Sequence, residues 1–128
     1  MIGRDLLSIE DLEREEIQKI LETAEKMCEI GRRDVKKVPT LRGRTIINLF
    51  FEPSTRTLSS FEIAGKRLSA DVVNFSPGNS SLSKAESILD TAKTLDAMDP
   101  DAVIVRHAVA GVPKRIADVL KAPVVNTG

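Results

Sequence analysis

The chain is poor in the features that indicate a disulfide scaffold, a membrane protein or a polyanion-binding protein. Its 128 residues include one cysteine, Cys28, which excludes an internal disulfide and a multi-cysteine zinc site. No apolar run approaches the roughly 18 residues of a membrane span, and charges at Arg4 and Asp5 argue against a signal peptide. Nineteen basic and nineteen acidic side chains give a net charge of zero. We therefore expect a cytoplasmic protein without nucleic-acid or membrane partners, in which any anion site is local.

What the chain does contain is the patterning of one globular domain, with 41% hydrophobic and 30% charged residues. Apolar residues three or four apart predict an amphipathic helix over residues 8–30. Ser8 suits its start, although the helix proper could begin near Glu13, and Gly31 suits a left-handed stop. Cys28 lies in the apolar stripe of this helix, which predicts a buried thiol.

Strand and helix patterns alternate after this helix. The run Thr45–Phe51, TIINLFF, is short and nearly all apolar, as expected of a strand buried on both faces of a parallel sheet. The elements predicted after it are helix 54–70, strand 72–75, loop 76–84, helix 86–98, strand 102–105, helix 111–121 and strand 124–126. This order predicts an α/β fold with a parallel β-sheet flanked by helices on both faces.

Ligands of such sheets bind beyond the carboxyl ends of the strands, where the loops face one crevice. Four segments follow the predicted strand ends, namely Glu52–Thr57, Ser76–Lys84, Arg106–Gly111 and the pair Thr127 and Gly128. We therefore expect the functional site among these four segments.

The first of these segments has the composition of an anion site. Ser54, Thr55, Arg56 and Thr57 form the first turn of a predicted helix, where unpaired N–H groups and the helix dipole favour an anion. Three hydroxyls and a guanidinium that can bind bidentately add further donors. Helix capping would explain Ser54 alone, but not Arg56 and Thr57 with it. The segment lacks the Walker A and G-x-G-x-x-G patterns, which disfavours a nucleotide.

These residues carry a family resemblance. Phe50–Thr57, FFEPSTRT, followed by Ser60–Glu62, closely resembles the carbamoyl phosphate signature of the aspartate and ornithine carbamoyltransferases. The resemblance extends along the chain, through the loop SSLSK at 80–84, the strand end VRH at 105–107 and the closing VNTG at 125–128. It is greatest to the aspartate enzymes, because no lysine precedes Ser54 as in the ornithine enzymes and because the loop carries Lys84.

The resemblance implies carbamoyl transfer from carbamoyl phosphate to L-aspartate in pyrimidine biosynthesis, with no metal and no organic cofactor. It implies that Ser54, Thr55, Arg56 and Thr57 bind the phosphate, and that Thr57 and Arg106 reach the carbonyl oxygen. Arg56, Thr57 and Arg106 would then be catalytic, because fixed donors stabilise the charge that grows on the carbonyl oxygen and the departing phosphate.

The resemblance also implies an oligomer and a second domain. Ser81 and Lys84 lie on the loop that in the family reaches into the neighbouring subunit's site, with Ser80 a rival of Ser81, and the intact enzyme would be a homotrimer. A regulatory or dihydroorotase partner is left open. Residues 1–128 correspond to most of the carbamoyl phosphate-binding domain, without the aspartate-binding domain. We therefore expect little or no transferase activity from this chain alone.

His107 is the one histidine and invites a catalytic role. The family's carbonyl-polarising histidine, however, belongs to a His-Pro-Thr-Gln segment that this sequence lacks, so we expect His107 to support Arg106 or to pack at the strand end. Glu62 is predicted to be a structural partner. Two alternative functions remain: an ornithine or other carbamoyltransferase, and a non-catalytic anion-binding or assembly fragment.

Overall fold

A computed structural model describes residues 5–77 and 85–128, and at residues 85–87 it describes the backbone alone. In chain order its main elements are α1 (Arg14–Gly31), β1 (Thr45–Phe50), α2 (Thr55–Arg67), β2 (Asp71–Phe75), α3 (Ala85–Ala97), β3 (Ala102–Arg106), α4 (Val112–Val119) and β4 (Val124–Asn126). The strands form one sheet in the order β2-β1-β3-β4, and every pairing is parallel. The predicted α/β fold with a parallel sheet is confirmed.

The helices lie on both faces of the sheet. Ile47 and Leu49 of β1 belong to the buried cluster that α3 and α4 complete. Ile46, which points the opposite way along the strand, pairs with Val72 of β2. A Cβ atom at Gly65 of α2 would lie 2.6 Å from a methyl carbon of Val72, so α2 packs closely on that opposite face and requires glycine at this position.

The main core is on the α3 and α4 face. Alternate residues of the two central strands β1 and β3 point into it, as the period of a strand requires. Its buried members are Ile47, Leu49, Phe51, Ile88, Ala92, Leu95, Val103, Val105, Val112, Ile116, Ala117, Leu120 and Val124. The other face is less densely packed, because Gly65 is the one buried residue of α2.

Helix α1 is exposed along its length, which contradicts one prediction. None of its 18 residues is buried, Leu21 is 60% exposed, and the thiol of Cys28 is exposed rather than buried. The apolar stripe borders two open grooves, one of about 310 Å³ against the N-terminal segment and one of about 180 Å³ against α2. The pattern correctly predicted an amphipathic helix, but among the described residues nothing covers the stripe.

The ends of this first helix also differ from the prediction. Ser8 caps a short 3-10 helix, Ile9–Asp11, rather than α1. The α-helix begins after Glu13, the alternative start that the sequence offered. There a reciprocal capping box joins Glu13 and Glu16. Gly31 is the last helical residue, followed by Arg32 in a right-handed conformation, so the predicted left-handed stop at Gly31 is wrong.

Other boundaries move by one to three residues. Ser54 precedes α2 instead of opening it, and α2 ends at Arg67 before Ser69 takes a left-handed φ of 70°. The last helix is shorter than the predicted 111–121. None of the helices in the described part of the chain combines the length and the hydrophobicity of a membrane span.

The N-terminal segment extends the sheet, which the sequence did not predict. Leu6 forms a parallel bridge with Val125 of β4. Its amide donates to the carbonyl oxygen of Val124 at 2.8 Å, and its own carbonyl oxygen accepts from the amide of Asn126 at 2.9 Å. The Asp5 carboxylate accepts from the Val124 amide at 2.7 Å. These bonds cover what would otherwise be an open edge of β4.

At the opposite end of the sheet from the predicted crevice, Asp101 joins β1 to β3. Its carboxylate accepts hydrogen bonds from the Thr45 amide at 2.8 Å and from the Arg44 guanidinium at 3.2 Å. The Thr45 amide is the main reason that the pKa of Asp101 lies below its usual range, and Arg44 adds to the effect while desolvation opposes it.

Asp101→Asn should lower the melting temperature at neutral pH, and the difference from wild type should disappear in acid. A carboxylate with a lowered pKa in the folded state stabilises the fold above its unfolded value of about 3.9, and this contribution is lost as the pH falls through the folded value. Thermal denaturation from pH 7 to pH 2 measures the difference. Asp34→Asn is the matched control, because the exposed Asp34 side chain makes no hydrogen bond or ion pair with the described residues. A difference that persists at pH 2 would contradict this assignment.

Candidate functional site

The predicted crevice coincides with the point where the sheet topology reverses. From β1 the chain crosses through α2 to the β2 edge, whereas from β3 it crosses through α4 to the β4 edge. Adjacent strands whose connections leave in opposite directions open a crevice at their carboxyl ends, and ligands of open parallel sheets bind there. At this end, Phe50 of β1 is in register with Arg106 of β3.

The first turn of α2 lies at this crevice and has free donors. Ser54 is the N-cap, and its carbonyl oxygen accepts the first helical hydrogen bond from the Leu58 amide at 2.9 Å. The amides of Thr55, Arg56 and Thr57 therefore have no acceptor within the helix. The Ser54 side chain makes no capping hydrogen bond. Helix capping thus does not account for Ser54, and the three amides stay available to a ligand.

The charges at this turn also favour an anion. Acidic residues normally occupy the first turn of a helix, because the dipole is positive there. The first turn of α2 has no acidic residue and instead carries Arg56, whose side chain is exposed. Within residues 5–77 and 85–128, Arg56 forms no ion pair. Its positive charge and the positive end of the dipole therefore add, and an oxyanion would be stabilised by both.

Arg106 joins the ends of three segments. Its Nε donates to the Glu52 carboxylate at 2.9 Å, and its Nη1 donates to the carbonyl oxygen of Thr127 at 3.2 Å. A Cβ atom at Gly128 would lie 3.1 Å from the same Nη1, and Gly128 has a left-handed φ of 137°, so glycine allows this close approach. The side chains of Arg106 and Glu52 are both half-buried, which orients the guanidinium at the crevice.

Part of the predicted site is not joined by contacts. No hydrogen bond among the described residues links Arg106 to Thr57, the two side chains predicted to share the carbonyl oxygen. The predicted loop ligands Ser81 and Lys84, with the rival Ser80, lie outside the described residues. In the described part of the chain, no group of three or more His, Cys, Asp and Glu side chains could hold a metal ion.

His107 packs at the end of β3, one of the two places expected for it. Its ring lies against Phe51 at a centroid distance of 5.0 Å and an interplanar angle of 56°. Nδ1 accepts a hydrogen bond from the Val109 amide at 2.9 Å, so the neutral ring carries its proton on Nε2. Because successive side chains alternate between sheet faces, His107 and Arg106 project to opposite faces.

Sequence reasoning missed Glu52 as a site residue. The sequence placed Glu52 only at the start of a crevice segment and gave it no role, yet its carboxylate holds Arg106 from 54 positions away. The signal that would have found it is the register of β1 and β3, which brings Phe50 beside Arg106. That register requires the strand order, which the sequence pattern does not give.

Known proteins are similar to this chain in sequence and in fold. The chain matches the family described as aspartate/ornithine carbamoyltransferase, carbamoyl-P binding domain, over residues 4–128. It is 57% identical over 127 residues to the aspartate carbamoyltransferase catalytic subunit of Frankia casuarinae, a match that covers 99% of this chain and 40% of that relative. The chain thus spans about two fifths of the length of such relatives.

Solved structures show the same fold. Aspartate transcarbamoylase from Trypanosoma cruzi in complex with carbamoyl phosphate superposes with a TM-score of 0.84 at 34% identity, over 97% of this chain and 38% of that one. Ornithine carbamoyltransferase from Pyrococcus furiosus superposes with a TM-score of 0.82 at 37% identity, over 97% and 39% of the two chains. The chain therefore belongs to the family of aspartate/ornithine carbamoyltransferase carbamoyl-P binding domains.

Proposed function

We propose that this chain supplies the carbamoyl phosphate site of a cytoplasmic aspartate carbamoyltransferase, which forms N-carbamoyl-L-aspartate and phosphate in pyrimidine biosynthesis. Residues 1–128 would be most of its carbamoyl phosphate-binding domain. The observation that carries the proposal is the uncapped first turn of α2 at the crevice between β1 and β3, where three amides and the Arg56 side chain have no partner among the described residues. The family match over residues 4–128 supports the same ligand.

In this proposal the phosphate of the substrate lies on the first turn of α2. Ser54, Thr55 and Thr57 contribute hydroxyls, the backbone contributes amides, and Arg56 binds two phosphate oxygens. A phosphate has enough acceptor oxygens to use most of these donors. Binding by fixed donors in one place also orients the carbamoyl group toward the β3 side of the crevice.

The reaction would begin with attack of the aspartate amine on the carbonyl carbon, which gives a tetrahedral species. The carbon–oxygen bond to phosphate then breaks, phosphate leaves with the bonding electrons, and the proton that the amine nitrogen loses passes to the departing phosphate. Arg106 and Thr57 would donate to the carbonyl oxygen as it gains charge, and Arg56 would stabilise the leaving phosphate. Loss of one such donor typically raises the barrier by about 3 to 4 kcal/mol. Glu52 would hold Arg106 in place between turnovers.

Aspartate is favoured over ornithine as the acceptor. The relative from Frankia casuarinae, 57% identical to this chain, is an aspartate carbamoyltransferase catalytic subunit. Identity to the solved structures does not discriminate, since the Trypanosoma cruzi aspartate enzyme is 34% and the Pyrococcus furiosus ornithine enzyme 37% identical. The fold alone does not discriminate, since both kinds of enzyme superpose well. Lys84 and the absence of a lysine before Ser54 favour aspartate on sequence grounds.

The complete site would need more than one chain. We propose that Ser81 and Lys84 contribute to the carbamoyl phosphate site of a neighbouring subunit in a homotrimer, as the family resemblance implies. A non-catalytic anion-binding or assembly fragment is the second candidate.

Calorimetry and a turnover assay test the proposal together. We expect inorganic phosphate and carbamoyl phosphate to bind the 128-residue chain at millimolar concentration or below, with little carbamoyl transfer to aspartate by the chain alone. Absence of binding heat at millimolar phosphate would contradict the anion site. Turnover with ornithine instead of aspartate would contradict the acceptor, and rapid turnover with aspartate would refute the expectation that this chain alone has little activity.

A further inference from the structure

Three polar side chains connect α2 to the two strands beneath it. Asn48 of β1 and Asn74 of β2 are register partners, and Asn48 Nδ2 donates to Asn74 Oδ1 at 3.0 Å. Asn74 Nδ2 donates in turn to Glu62 Oε1 of α2 at 2.7 Å. This chain of hydrogen bonds runs from the centre of the sheet to the helix that carries the anion site.

Stability alone does not explain why the first residue of this hydrogen-bonded series, Asn48, is an asparagine. Asn48 is fully buried between Ile47 and Leu49 on β1, and it is the one buried polar side chain among the described residues. Its Oδ1 has no hydrogen-bond partner there. An unpaired buried acceptor destabilises a fold, and an apolar side chain of similar size would avoid that cost. The amide must therefore serve geometry.

Helix α2 needs such a geometric constraint. Gly65 is its one buried residue, so apolar packing fixes its axial position and rotation only weakly. Hydrogen bonds are directional, so a side chain of α2 bonded to β2 constrains both further. Glu62 lies seven residues after Thr55, hence on the same helical face, about 10 Å along the axis.

Glu62 is well suited to this role. Its Oε2 accepts from Lys66 Nζ at 2.7 Å, while Oε1 accepts from Asn74. The hydrogen bond from Lys66 is the first cause, and that from Asn74 the second, of a Glu62 pKa below its usual range. The carboxylate is therefore ionised at neutral pH and accepts both bonds.

We infer that Glu62, Asn74 and Asn48 form a positioning network that holds the first turn of α2 at the crevice and so sets the affinity for the phosphoryl group. The inference rests on the proposed function, because it concerns the same anion site. Glu62 acts through the position of the helix and does not contact the ligand. Lys66 lies outside the network, since it bonds only the outer oxygen of Glu62.

The test is the phosphate dissociation constant of the 128-residue chain and its variants, measured by calorimetry well below the melting temperature. Glu62→Ala and Asn74→Ala should each weaken binding about tenfold, through misplacement of the donors. Glu62→Gln should restore most of the affinity, because its amide oxygen can still accept from Asn74. Lys66→Ala is the matched control and should bind as wild type does. Amide shifts of Thr55–Thr57 should move in the two alanine variants alone.

The outcomes separate this inference from the proposed function. If wild type does not bind phosphate, the proposed function fails. If wild type binds and both alanine variants bind equally well, the network has no positioning role, while the proposed function stands. If Lys66→Ala weakens binding as much as Glu62→Ala, or Glu62→Gln gives no rescue, the effect follows charge at the helix surface and the inference is overturned.

Discussion

Arg56→Ala should weaken phosphate binding by about 100-fold, so that binding by the variant is no longer detectable at millimolar phosphate. The guanidinium is exposed at the positive end of the α2 dipole and has no ion pair in the described part of the chain. Hydrogen bonds to charged groups contribute about 1.5 to 3 kcal/mol each, and 1.4 kcal/mol corresponds to a factor of ten. A bidentate contact with phosphate therefore accounts for about two orders of magnitude. Calorimetry with inorganic phosphate, compared with wild type, measures the loss.

Arg67→Ala is the control for this prediction. Arg67 is an exposed arginine at the other end of the same helix, so its removal changes the net charge equally but leaves the first turn intact. We expect phosphate affinity within about twofold of wild type, because charges farther apart than about 8 Å are largely screened at physiological salt. Equal losses in the two variants would show that phosphate responds to overall charge and that the α2 turn is not a site.

Arg56→Lys should give an intermediate loss. Lysine keeps the positive charge at the helix terminus but presents a single ammonium in place of a planar fork, so it loses the bidentate geometry. Affinity restored to the wild-type value by lysine would mean that charge alone recruits the anion. The graded series therefore distinguishes a shaped phosphate site from an electropositive surface.

The anion site was predictable because its determinants are local in sequence. A buried strand, a turn and a helix start occupy twelve successive residues from Ile46 to Thr57, and the donors at a helix start follow from helix geometry alone. For the same reason β4 was predicted with correct bounds, Val124–Asn126, between Pro123 and a polar end. Local patterns fixed both elements without any knowledge of the strand order.

The features that were missed depend on contacts between distant residues. The pairing of Leu6 with Val125 and the ion pair of Glu52 with Arg106 form only when the sheet has assembled. Asn48 is similar, since an asparagine in an apolar run gives no indication that its neighbour across the sheet is Asn74. Periodicity gives the face of an element but not the identity of what packs on that face.

The exposure of α1 illustrates the same limit. Its apolar residues recur at helical spacing, and such a pattern normally marks a face that packs on a core. In the described residues the stripe instead borders open grooves. Amphipathicity therefore predicted the helix correctly and the burial of Cys28 wrongly.

The unequal burial of α3 and α1 predicts a large difference between two identical substitutions. Leu95 of α3 is 1% exposed in the main core, whereas Leu21 of α1 is 60% exposed. Leu95→Ala should lower the free energy of unfolding by about 2 to 5 kcal/mol, through lost apolar burial and the cavity left behind. The whole free energy of unfolding of a typical domain is about 5 to 15 kcal/mol. Leu21→Ala should change it by no more than about 0.5 kcal/mol.

Chemical denaturation of both variants measures this difference, and the pair controls for helix propensity because each change is leucine to alanine within a helix. An equal slope of free energy against denaturant in both variants would show that the unfolded state is unaffected. If Leu21→Ala proves as costly as Leu95→Ala, the α1 stripe is covered in solution, and the fold stands on two cores. If Leu95→Ala alone is costly, the face of α3 and α4 carries most of the stability of the domain. The opposite face, with its buried Asn48 and with Gly65 as the one buried residue of α2, then contributes less to stability and carries the network proposed to position the anion site.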